Sequence, residues 1–121
     1  MNAINWFDIP VTDIKRAVKF YSTILGAEVQ MMDSGEDSFM AMLPMEGEGV
    51  GGALTQMEGY KPSKDGTVVY LNGGADLSAM LNRVEGAGGK VFVPKTDIGE
   101  HGFFAIFEDS EGNHVGLHSM G

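Results

Sequence analysis

Residues 4–11 sort into two sides at a period of two. Phe7, Ile9 and Val11 share one side, and Ile4, Trp6, Asp8 and Pro10 share the other, which predicts a strand over Ile4–Val11. The period then lengthens. Ile14, Ala17, Val18, Tyr21, Ile24 and Leu25 recur at helical spacing behind Thr12-Asp13, a capping signal, and Gly26 is placed to end the helix in a left-handed conformation. Strands are expected over Ala27–Met32, Ser38–Leu43 and Val50–Gln56, with a polar turn over Asp33–Asp37 and a Gly-rich loop over Pro44–Gly49.

The second half repeats the first. DLSAMLNRVEGAGGKVF at 76–92 lies on DIKRAVKFYSTILGAEV at 13–29 after a shift of 63 positions, which also carries Ala53-Leu54 onto Gly116-Leu117. A strand is expected over Thr67–Asn72, with Gly73-Gly74 adding one residue relative to the first copy. Asp76 then caps a helix that buries Leu77, Met80, Leu81 and Val84. The strand Lys90–Val93 is stopped by Pro94, Lys95–His101 is a loop, and the last strands are Phe103–Phe107 and Asn113–His118. A twofold repeat suggests one domain of two paired modules, whereas a solenoid needs three or more repeats. The expected division of 1–121 is module one over 1–57, a linker over 58–66 and module two over 67–121. The fold class is α+β: each βαβββ unit lays its helix on one face of its sheet, and the opposite faces curve around a common space, the default ligand site.

Composition narrows the function. A length of 121 residues suits one core, and no apolar run is long enough to span a bilayer. MNAINWFDIP has no basic region followed by an apolar one, so no secretory signal is expected and a cytoplasmic location is. Cysteine is absent, which excludes disulfides and thiolate catalysis. A formal charge of −9 argues against nucleic acid and anionic membranes as partners. Most of the nine methionines read as core filler, the alternative being a yielding pocket wall. No nucleophile elbow, lysine-bearing phosphate loop or dinucleotide-binding glycine pattern occurs.

Ile9-Pro10-Val11-Thr12-Asp13, leading into a helix with Phe20-Tyr21 and then Leu25-Gly26, and the turn Asp109-Ser110-Glu111-Gly112-Asn113 before the last strand resemble the vicinal oxygen chelate superfamily. That group includes glyoxalase I, bleomycin and fosfomycin resistance proteins and extradiol dioxygenases. The resemblance covers nearly the whole chain. It implies an eight-stranded half-open barrel with the helices outside, a homodimer, and in the enzymes a divalent metal held by one side chain from the first and last strand of each module. Those positions here are Trp6, Ala53, Val68 and Gly116, and none offers a donor. No metal or other cofactor is therefore expected.

Strand parity gives the cavity face Trp6, Asp8, Ala53, Thr55, Val68, Tyr70, Asn72, His114, Gly116 and His118, the candidate ligand-binding residues. The competing structural role is that they fill the barrel or pair with each other. His114 and His118 share a face, but four residues of strand at roughly 3.3 Å each set them more than about 10 Å apart, too far to converge on one ion. His101 reads as a surface histidine. The function expected is a glyoxalase/bleomycin-resistance-like protein that binds a small organic ligand with the usual metal site lost; the alternatives are a metal-dependent lyase or dioxygenase with a relocated site or a metal-free acid–base enzyme using Asp8 and a histidine, and an interaction module that kept only the fold.

Overall fold

The computed structural model describes residues 2–32 and 36–121, so residues 33–35 of the expected turn lie outside the described residues. The chain divides into two compact units, Met1–Pro62 and Ser63–Gly121, cut inside the expected linker. Each contains a four-stranded mixed sheet of one topology.

In the first unit β1 (Trp6–Pro10), β2 (Gln30–Met32), β3 (Ser38–Met42) and β4 (Gly51–Met57) are ordered β1-β4-β3-β2, with β1 parallel to β4 and the other pairs antiparallel. Helix α1 (Ile14–Leu25) forms where the stripe and caps predict it. The Asp13 carboxylate accepts from the Arg16 amide at 3.1 Å, and the Ile14 amide donates to Gln56 Oε1 at 2.8 Å, so two otherwise orphaned donors are satisfied. Gly26, at φ 66°, donates its amide to the Ser22 carbonyl. The buried stripe is Ile14, Ala17, Phe20, Tyr21 and Ile24, while Val18 and Leu25 are only half-buried. The stripe's centre is as expected, but the helix is rolled toward Phe20, whose ring meets Tyr21 edge-on at 5.0 Å. Against it lie Ile9, Ala41 and Leu54, all buried.

The second unit repeats this order, β5-β8-β7-β6, in β5 (Tyr70–Asn72), β6 (Lys90–Asp97), β7 (Phe103–Glu108) and β8 (His114–Ser119). Two expectations change. The single helix is two short segments, α2 (Ser78–Leu81) and α3 (Val84–Ala87). Gly86, Gly88 and Gly89 weaken its C-terminal half, leaving only Leu77, Leu81 and Val84 to be buried; Met80 stays half-exposed. Pro94 does not stop β6. That strand is an edge, its pairing with β7 slips between Val91 and Val93 and again between Val93 and Thr96, and a proline needs no ladder donor there. The Asp109–Asn113 turn is closed by the Asp109 carboxylate, which accepts from the Glu111 and Asn113 amides and from Asn113 Nδ2. Strands β1, β2 and β5 are shorter at their starts than the alternation predicts. Among the described residues no helix is long and apolar enough to cross a membrane.

Asp76 caps the second helical region by accepting from the Ser78 amide at 2.8 Å, and Lys95 Nζ lies 2.9 Å from the same oxygen. The Ser78 amide first, and Lys95 next, hold its carboxyl at about 2 against an ordinary 3.8. Because the folded value is the lower, the stabilisation is full above about pH 4 and is lost as pH falls toward 2. An NMR titration should place Asp76 near that value. Lys95→Ala should raise it only part of the way, and Asp76→Asn should flatten this contribution to acid sensitivity.

Candidate functional site

Residues opposite one another across a ladder share a face, so register sorts each sheet into two sides. In the first unit the side away from α1 carries the rows Asp8–Ala53–Met42–Gln30 and Pro10–Thr55–Met40–Met32, with Trp6 beside Gly51 and Met57 beside Ser38. The Trp6 indole lies over Gly51, where an added Cβ would meet Cζ3 at 3.2 Å, and its Nε1–H donates to Asp8 Oδ1 at 3.1 Å. Trp6 is 40% exposed and lines a depression of about 620 Å³ with Asn5, Glu48 and Val50. Ala53 and Thr55 are fully buried on the central strand, and Thr55 Oγ1 has no hydrogen-bond partner.

The methionines correct the reading of composition. None of the eight described methionines belongs to the buried core. Met31, Met32, Met45, Met57 and Met120 are exposed, and Met40, Met42 and Met80 are half-buried. Four of them, Met32, Met40, Met42 and Met57, sit on the side of the sheet that α1 leaves bare. The two-residue alternation of β2 and β3 contains this signal for three of them, and applying parity to those strands would have added Met32, Met40 and Met42 to the candidate list.

In the second unit the corresponding side carries Tyr70–Gly116–Ile106, Asn72–His118–Phe104 and His114–Glu108–Lys90. Val68, just before β5, is half-buried. The Tyr70 ring lies across Gly116, where any Cβ would overlap it, and meets Phe104 edge-on at 6.4 Å. Tyr70, Asn72 and His118 line a depression of about 410 Å³ with Ser119 and Met120. The two strand histidines diverge as their spacing requires. His114 stacks on Phe92 at 4.3 Å and lies 3.9 Å from Glu108 Oε1. Glu108 is held below the ordinary carboxylate range, chiefly by Lys64 at 3.1 Å, with Lys90 and His114 adding to it. Phe92 and Glu108 were not among the expected residues; the slipped register of β6 spoils parity for Phe92.

His118 Nε2 lies 2.7 Å from the His101 carbonyl oxygen. A carbonyl only accepts, so Nε2 carries the proton, and the neutral ring presents Nδ1 as its basic nitrogen. His101 is exposed, but its backbone has a role that its side chain does not reveal. Gly102 fixes that carbonyl: at φ 97° it lies in the left-handed region, and a Cβ there would run into the Ser119 carbonyl oxygen. Gly102→Ala should therefore cost about 1–3 kcal/mol in chemical unfolding. In the wild type, long-range ¹H–¹⁵N spectra of the neutral ring should show His118 as the Nε2–H tautomer.

At the positions where the resemblance places metal ligands stand an indole, a methyl, an isopropyl group and a hydrogen atom, at Trp6, Ala53, Val68 and Gly116. These residues do not fit a divalent cation. Among the described residues no three His, Cys, Asp or Glu side chains are grouped to hold one.

Known proteins are similar to this chain in sequence or in fold. CFP32, provisionally described as a glyoxylase, is 31% identical over 119 residues in both Mycobacterium bovis and Mycobacterium tuberculosis; the match covers 93% of this chain and 44% of CFP32. The chain thus spans less than half the length of these curated relatives. A glyoxylase-like domain-containing protein of Didymella fabae is 32% identical over 115 residues, covering 91% of this chain and 88% of that one. Among solved structures, glyoxalase I from Zea mays superposes with a TM-score of 0.75 at 18% identity over 96% of this chain and 44% of that one, a likeness of fold alone. A glyoxalase/bleomycin resistance protein from Streptomyces sp. CB03234 gives 0.63 at 24% identity, over 94% and 97%. The family model of the Glyoxalase/Bleomycin resistance protein/Dioxygenase superfamily matches residues 3–117, and the chain belongs to that superfamily.

Proposed function

We propose that this protein binds a small organic ligand against the sheet faces its helices leave bare, and that the divalent metal site of its enzymatic relatives is lost. The observation that carries this reading is the donor-free set Trp6, Ala53, Val68 and Gly116. The loss is built into the packing at one of the four. A ligating side chain at Gly116 would need the space that the Tyr70 ring occupies, so restoring a donor there requires moving Tyr70 as well. Each unit by itself offers a wall that suits binding: a half-exposed indole, flexible thioethers and Asp8 in the first, and Tyr70, Asn72 and His118 in the second. The two units together make one glyoxalase-like domain over 1–121, working in the cytoplasm as a homodimer.

A second reading rests on His118. Its Nδ1 is basic, its ring is held by the His101 carbonyl, and Tyr70 and Asn72 share its depression, which suits metal-free proton transfer. Asp8 contributes less to such chemistry, since one of its oxygens already takes the Trp6 N–H.

Trp6 is the only tryptophan, so its emission reports on one place. In a screen of small organic compounds by fluorescence and thermal shift, binders should alter that emission, and Trp6→Ala should weaken them by about 1–3 kcal/mol through lost apolar burial. Elemental analysis after exposure to zinc, nickel and manganese should find no stoichiometric ion. One tightly held ion per chain, or compounds that stabilise the protein without ever changing Trp6 emission, would overturn the reading. Sedimentation at micromolar concentration should show a dimer.

A further inference from the structure

Thr55 is the anomaly of the first sheet. Its side chain sits on the central strand β4, 1% exposed, and its Oγ1 is the one buried side-chain polar atom among the described residues with no hydrogen-bond partner. Buried hydroxyls are paired as a rule, because an unmet one keeps its desolvation cost without a compensating bond. Its ladder neighbours cannot pair with it: Pro10 on one side has no polar side-chain atom, and Met40 on the other offers only a thioether. Met32 follows Met40 in the same row, with Met42 and Met57 in the rows beside it. None of these methionines is packed into the core, and each has three side-chain torsions to turn about.

We infer that Thr55 is the polar anchor of a binding site whose cover is the methionine row, and that the site takes an uncharged, flat, apolar compound bearing one hydroxyl or carbonyl group. This rests on the ligand-binding reading above and specifies it. The methionines turn aside to admit the ring and grip it through sulfur–aromatic contact, while the Thr55 hydroxyl, able to donate or accept, meets the ligand's single polar group. Charge is disfavoured at this point. The rows around Thr55 hold no basic side chain, and the carboxylate of Asp8, one row away, already accepts from Trp6.

The test compares 2-naphthol with 2-methylnaphthalene, nearly equal in shape and differing in one hydroxyl, by equilibrium dialysis against the full chain. Wild type should prefer 2-naphthol roughly two- to twelvefold, the range expected of one net hydrogen bond. Thr55→Val should erase that preference, leave 2-methylnaphthalene binding unchanged, and melt no lower than wild type. Thr55→Ser should keep the preference, which guards against a valine variant that fails to fold. A wild type without preference, or a Thr55→Val protein that keeps it, overturns the anchor. If neither naphthalene binds while other compounds still shift Trp6 emission, this ligand class is wrong and the broader reading stands. If nothing binds, the broader reading falls with it.

Discussion

Everything in each module depends on one packing arrangement, the burial of one side of a four-stranded sheet beneath helical residues of the same unit. In the first unit Ile14, Ala17, Phe20, Tyr21 and Ile24 close over Ile9, Ala41 and Leu54. A fully buried aliphatic or aromatic side chain contributes about 1.5–3 kcal/mol, so this layer dominates the unit's stability. In the second unit Leu77, Leu81 and Val84 cover Ala105, Phe107, Val115 and Leu117 with a broken helix. The consequence lies on the other side. A sheet stabilised from one face leaves the opposite face free of that duty, and there the two copies diverge: thioethers and an indole in one, histidines and aromatic rings in the other.

A second constraint works along the parallel seams. Phe7 lies over Gly52 and Tyr70 over Gly116, each ring occupying the volume a Cβ would need on the inner strand. Close approach of an aromatic ring to a strand requires glycine beneath it. At Gly116 this links packing to chemistry, because the residue that forgoes a side chain stands where the resemblance places a metal ligand. The missing donor there is thus part of a packed pair, and reversing it alone would create a clash.

Polar groups in the second unit fall into two kinds. Asp76, Asp109 and Asn113 each accept from backbone amides, which closes a helix start and a turn, and Asp76 also meets Lys95. His118 and Glu108 are oriented by partners distant in sequence, a backbone carbonyl 17 residues away and Lys64. Thr55 in the first unit belongs to neither kind. Its hydroxyl is buried on the central strand between a proline and a methionine with no partner, which separates it from every structural polar group around it.

The sequence by itself determined what depends on local periodicity. The twofold repeat, α1 with its Asp13 and Gly26 caps, the succession of strands along the chain and the faces of β1, β4 and β8 all follow from spacings of two or 3.6 residues and from backbone preferences that act over a few positions. The absence of metal-ligating side chains at Trp6, Ala53, Val68 and Gly116 was legible too, once the resemblance had placed the ligand positions there. Only the tertiary structure decided the rest. It exposed the methionines, carried β6 through Pro94 because that strand is an edge, split the second helix, set His118 against the His101 carbonyl and left Thr55 without a partner. Each of these is settled by a neighbour remote along the chain, and hydropathy names a residue's preference for burial without naming what will be there to bury it.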